Sequence, residues 1–106
     1  MSIGTVKKQP AEVIDFDIDY SEYFDGVGGD TISTVTAAVA SGNDGGADDL
    51  VLGPGTLPET ALVNTTRAKV WIGDGANGTT YKVTVTMTAT AGRVREHDVR
   101  VIVREQ

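Results

Sequence analysis

Thr79-Thr80-Tyr81-Lys82-Val83-Thr84-Val85-Thr86-Met87-Thr88-Ala89-Thr90 decides the fold. Tyr81, Val83, Val85, Met87 and Ala89 take every second position, with Lys82 and threonines between them. Successive side chains of an extended chain point to opposite sides, so this run has one apolar face and one polar, β-branched face. After Gly92 the pattern resumes, with Val99, Val101 and Val103 on one side and Arg100, Ile102 and Arg104 on the other. Two alternating runs about a glycine turn predict a hairpin.

The stretch before this hairpin repeats the logic. Ala68, Val70 and Ile72 point one way, Lys69 and Trp71 the other, and Asp74-Gly75 and Asn77-Gly78 are strong turn dipeptides. Leu50–Leu52 and Ala61–Val63 are short apolar runs separated by Gly53-Pro54-Gly55. In Thr31–Val39 the step from Ile32 to Val35 breaks strict alternation, which predicts a bulge or a late start. Ile14, Phe16, Ile18 and Tyr20 alternate with Asp15, Asp17 and Asp19, giving a strand with an all-carboxylate face. Between these two runs, Tyr23 and Phe24 followed by Gly26, Gly28 and Gly29 suggest a loop that tucks its rings over one end of the domain. Ser41–Asp49 is rich in Gly and Asp and is expected to be mobile. Residues 1–11, short, mixed in character and interrupted by Pro10, read as an N-terminal arm before a domain spanning 12–106. No helical periodicity is visible. The expected fold is all-β: an immunoglobulin-like sandwich of two antiparallel sheets with about seven strands.

Composition narrows the function classes. A chain of 106 residues allows one modest core. Without cysteine there is no disulfide, thiolate metal site or Cys nucleophile. A net charge of -6 argues against nucleic acid and anionic membranes as partners, because phosphate binding needs clustered Lys and Arg. No run approaches a membrane span of ~20 apolar residues, and Lys7-Lys8 is not followed by the apolar core of a secretory signal. The acids concentrate between Glu12 and Asp49, whereas the nine bases are split among Lys7-Lys8, the Arg67/Lys69 strand, Lys82 and the final hairpin (Arg93, Arg95, Arg100, Arg104); an acidic end and a mildly basic strand suit head-to-tail or hetero-partner packing.

Candidate chemistry is sparse. The single histidine, His97, sits between Glu96 and Asp98 and reads as a solvated residue at a hairpin end; no G-x-S-x-G turn accompanies it. No catalytic residue is assigned. Asp15, Asp17, Asp19, Asp25 and Asp30, and separately Asp44, Asp48 and Asp49, resemble calcium ligands in type. Alternate strand positions lie ~7 Å apart along one face, however, and do not converge, so neither metal nor cofactor is expected. Trp71 faces outward, either as an interface anchor or beneath the arm or the Tyr23-Phe24 loop. Tyr81 opens the long strand after a Gly-rich turn, where a sandwich places a tyrosine whose hydroxyl bonds back to the turn; its expected role is structural.

A resemblance now has residues to stand on. Gly78-Thr79-Thr80-Tyr81-Lys82-Val83-Thr84-Val85-Thr86, followed by Ala91-Gly92-Arg93, looks like the closing hairpin of bacterial immunoglobulin-like modules. With Asp19-Tyr20-Ser21, Gly29-Asp30-Thr31-Ile32 and Val70-Trp71-Ile72-Gly73, the chain resembles a family of small structural proteins of tailed phages and prophages, of the fiber-tail adaptor or head-tail region type. The resemblance covers Val13–Glu105, with residues 41–63 poorly matched and longer than expected. It implies a virion protein, made in the bacterial host cytoplasm, that is not an enzyme and that binds other virion proteins or copies of itself. It offers no catalytic or cofactor residue to carry over. The contact residues expected here are Lys7 and Lys8 of the arm, Trp71, Asp44, Asp48 and Asp49 of the loop, and Arg93 and Arg95 of the hairpin. The reading from another class is a carbohydrate- or cell-surface-binding adhesion module, which normally displays several exposed aromatics. This chain has six aromatics in all, and Phe16 and Tyr81 read as internal. A third reading, a Ca²⁺-stabilised adhesion module, would lose stability on chelation.

Overall fold

A computed structural model describes residues 2–24, 30–46 and 48–105. Eight strands and one helical turn follow in chain order: β1 (Ser2–Lys8), β2 (Ile14–Asp19), α1 (Ser21–Phe24), β3 (Ile32–Ser41), β4 (Leu50–Leu52), β5 (Thr60–Leu62), β6 (Arg67–Asp74), β7 (Thr79–Ala89) and β8 (Val94–Val103). One sheet has the order β1-β8-β7-β3; the other has β2-β6-β4, with β5 also paired to β6. The two sheets stack as a sandwich, as the alternation predicts. No helix among the described residues is long and apolar enough to cross a membrane.

The β7–β8 hairpin is the centre of the first sheet, with Tyr81 opposite Val101, Val83 opposite Val99 and Val85 opposite His97. Tyr81, Val83, Val85, Met87 and Ala89 are all buried, and so are Val99, Val101 and Val103. Ala68, Val70 and Ile72 of β6 meet them from the second sheet, each with 0% exposure. Burying each Val, Ile or Met among them stabilises by ~1.5–3 kcal/mol before conformational entropy is counted, and each Ala by less. The expected irregularity in β3 is present: the pairing with β7 slips between Ile32 and Thr34, which lets Ile32 and Val35 both face the core.

Two features differ from the sequence reading. The segment read as an arm is strand β1, and it runs parallel to β8, with Val6 beside Val101 and Lys8 beside Val103. The described residues therefore form eight strands, and among them one pair of an otherwise antiparallel sandwich is parallel. Ser21–Phe24 forms a helical turn, not a loop: the Asp19 carboxylate accepts the Ser21 N–H at 2.9 Å and Phe24 N–H donates to the Tyr20 carbonyl at 3.1 Å. Phe24 is buried over the core as expected; the Tyr23 side chain and Gly26, Gly28 and Gly29 lie outside the described residues. In the Gly/Asp-rich stretch before β4, side chains bond several of the described residues. Asn43 brackets the start of β4, donating Nδ2–H to the Leu50 carbonyl and accepting the Leu50 N–H. The Asp49 carboxylate accepts the N–H groups of Asp44 and Gly45.

The two flanks of the sandwich are unequal. On the β3 side the sheets are joined, Thr60 Oγ1 donating to the Val35 carbonyl at 2.8 Å. On the opposite flank a cleft of about 610 Å³ opens between β1 and β2.

Candidate interaction surfaces

The outer face of the second sheet is built by the register of β2 on β6. Asp15 pairs with Trp71, Asp17 with Lys69 and Asp19 with Arg67, so the carboxylate face of one strand lies against the basic and aromatic face of the next. Lys69 Nζ stands 3.6 Å from Asp15 and 3.4 Å from Asp17, and Arg67 stands 3.4 Å from Asp19. The two charge groups that look separate in the sequence are cross-strand neighbours, and each largely neutralises the other. Exposed pairs of this kind are screened by water and add little to stability.

At the other end of the same face charge gives way to apolar surface. Val51 lies opposite Gly73 in the β4–β6 register. A Cβ placed on Gly73 would lie 2.9 Å from Pro54 and 3.5 Å from Val13, so both cover the bare backbone there. Val13 and Val51 remain 54% and 37% exposed. Trp71 lies two residues away on the same face, half-buried, with Lys69 Nζ 5.8 Å from its ring centroid. Trp71 thus faces outward, and its surroundings are Lys69, Asp15 and the Val13–Val51–Pro54 patch.

The other expected contact residues scatter. Lys7 is exposed on the outer side of β1. Lys8 is only 2% exposed; its ammonium donates to the carbonyls of Gln9 (2.6 Å), Pro10 (3.3 Å) and Asp74 (2.5 Å). Burial lowers its pKa, against the opposing pull of Asp74 and Glu12. Asp44, Asp48 and Asp49 are surface residues of the loop closed by Asn43, and the N–H of Asp44 is the main cause holding the Asp49 carboxyl below its usual value. Arg93 pairs with Asp30 at 2.8 Å, clamping the β7–β8 turn to the start of β3 and lowering the Asp30 pKa. Arg95 lies opposite Met87 and borders the cleft. Tyr81 is buried, its hydroxyl accepting the Ala76 N–H at 2.7 Å in the β6–β7 turn. Gly42 and Gly75 line its ring: a Cβ on Gly42 (φ +105°) would come within 2.5 Å of Tyr81 Cδ1.

His97 is where the sequence reading needs correction. It is 2% exposed, not solvated, and takes the inward parity of Val99. Its Nε2 lies 2.7 Å from the Tyr20 hydroxyl, with the rings 5.3 Å apart, and its Nδ1 is buried without a partner among the described residues. Burial, then the charge of Arg95, lowers the His97 pKa; burial raises that of Tyr20. Burial thus favours the neutral imidazole over the charged one. Among the described residues no nucleophile is hydrogen-bonded to it apart from the phenol of Tyr20, which burial keeps protonated.

The carboxylates do not gather. Among the described residues no three His, Asp or Glu side chains are grouped to hold a metal ion. Asp25 lies outside the described residues.

No curated protein matches the chain significantly. The sequence model of a family described as podophage GP4 fiber-tail adaptor protein gp77 matches residues 8–104, a span that takes in all of β2 to β8. A match of that extent includes the loop at 41–63, both sheets and the apolar patch around Gly73, and the chain belongs to the podophage GP4 fiber-tail adaptor protein gp77 family.

Proposed function

We propose that this protein is a non-enzymatic structural adaptor of the phage particle, working by protein–protein assembly in the head-tail or tail region. Family membership supports the setting. The observation that carries the contact itself is the outer face of the second sheet, where half-buried Trp71 adjoins exposed Val13 and Val51 and the ring of Pro54. An aromatic set in a small apolar patch and rimmed by Lys69 and Asp15 has the make-up of an interface centre with a polar border. The second sheet supplies this face on a rigid support, because β6 is hydrogen-bonded on both edges. Asp44, Asp48 and Asp49 flank the approach to β4 and serve as peripheral contacts in this reading; Lys8 is withdrawn from it by burial.

The test is assembly. Trp71→Ala and Val51→Asp, alone and together, should leave the melting temperature within a few degrees of wild type. Incorporation into particles, measured by quantitative immunoblot of purified virions, should fall about tenfold or more for the pair. Normal incorporation of the folded double variant would move the contact elsewhere. The adhesion reading predicts instead that the isolated domain binds a glycan array and that Trp71→Ala abolishes the signal.

A further inference from the structure

Among the described residues both sheets end in an unpaired edge on the same flank. β1 closes the first sheet and β2 the second, and the 610 Å³ cleft lies between them. An unpaired edge exposes a row of N–H and C=O groups that can template another strand. Part of the inner layer lines the cleft: half-buried Val6 and buried Val99, with His97 and Arg95, on one wall, and half-buried Phe16 and buried Ile18 on the other. At Gly4 that layer lacks a side chain, and a Cβ built there would meet nothing within 4 Å.

The charges on the two edges are complementary. On the outer face of the second sheet, three carboxylates (Asp15, Asp17, Asp19) face two cations (Arg67, Lys69), which leaves one negative charge in excess. On the outer face of the first sheet, Lys7 of β1 is exposed and has no ion-pair partner among the described residues. Two copies can meet through this flank about a two-fold axis in two ways. With the axis perpendicular to the sheets, β2 meets β2 and β1 meets β1, so the Asp rows oppose each other and Lys7 opposes Lys7. Like charges directly across a strand pair are destabilising. With the axis along the strands, each β1 meets the other copy's β2. Lys7 and the Asp row then point to the same side of the joined sheet, and each copy supplies the cation the other lacks.

We infer that the occupant of this flank is a second copy of the chain, docked two-fold so that β1 of each copy extends the β2 edge of the other and the two clefts close into one core. Such an interface is self-complementary and stops at two copies. It removes both free edges at once.

Because the chain has no cysteine, introduced ones report cleanly. Lys7→Cys combined in turn with Asp15→Cys, Asp17→Cys and Asp19→Cys should yield one pairing that oxidises to a covalent dimer. An intrachain link is impossible, since the two positions lie on opposite outer faces of sheets that pack ~10 Å apart. Light scattering on the unmodified full chain should give a dimer that weakens as salt is raised. Lys7→Glu, which acts twice per dimer, should weaken it about tenfold. A monomer at every concentration overturns the inference. So does a dimer indifferent to Lys7→Glu, a ladder of higher covalent species, or linking by Asp17→Cys alone, the mark of the β2–β2 arrangement. These readouts need no particle, so loss of virion incorporation by the Trp71 variants, or its absence, bears on the adaptor reading and leaves this one standing.

Discussion

His97 shows how a single position escapes a sequence reading. Its neighbours Glu96 and Asp98 are charged, and that local polarity suggests water; its parity with Val99, Val101 and Val103 suggests the core, and parity wins. The consequence is a pH dependence with a definite sign. The folded state holds the imidazole below its ordinary 6.5 through burial, so below that value the unfolded chain takes up a proton that the folded chain resists. Stability from this residue is present above about pH 6.5 and is lost as the pH falls. The melting temperature should drop between pH 7 and pH 5, and His97→Gln should flatten that drop. Asp19, Asp30 and Asp49 act in the same direction at more acid pH, because hydrogen bonds, joined at Asp19 and Asp30 by a neighbouring arginine, hold them below their ordinary value and their contribution goes only as they protonate. An unchanged slope in His97→Gln would mean that the imidazole is not the group responsible. Tyr81 is the opposite case. Its place after a turn and its parity with Val83 announce both its burial and the hydroxyl bond to Ala76.

Among the elements, β6, β7 and β8 were legible because each buries one face against the other sheet and exposes the other, which writes a clean period of two into the sequence. Even the slip in β3 left its trace as the Ile32–Val35 spacing. β1 left almost none. Its inward positions hold Gly4, Val6 and Lys8, one apolar residue in three, and its partner lies more than ninety residues away in a parallel pairing that no turn announces. What holds this strand is partly the Lys8 ammonium, bonded to three carbonyls, two in its own exit turn and one at the last residue of β6. Lys8→Met keeps the aliphatic stem but leaves those carbonyls unpaired. We expect a loss of about 2–3 kcal/mol in denaturant unfolding. Amide exchange should rise in β1 and along the β8 edge, while protection in β7 persists. Equal loss of protection throughout would show that β1 is integral to one cooperative unit rather than pinned to it.

For the whole molecule, charge was the hardest property to read. The acidic stretch and the basic strand look like two poles in one dimension; β2–β6 pairing sets them side by side. What remains is a protein whose clustered carboxylates are already occupied, by Lys69 and Arg67 on the second sheet and by backbone N–H groups in the Asp44–Asp49 loop. Calcium should therefore add nothing: the melting temperature should stay within about 1 °C on addition of EDTA or of millimolar Ca²⁺. A rise with Ca²⁺ would revive the calcium-stabilised adhesion module. Composition, period and resemblance together carried the sandwich and its family, whereas the apolar patch at Gly73 depends on Val13, Pro54 and Val51, which come from three separate segments and meet only after folding. One further consequence belongs to the parallel clasp. Because β1 and β8 run side by side in the same direction, Ser2 and Val103 lie at opposite ends of their shared ladder. Tension applied between those two points pulls along the strands, so the ladder's hydrogen bonds bear the load together and must shear at once instead of unzipping singly. The same strand that is pinned by one buried lysine makes the domain a link suited to mechanical force.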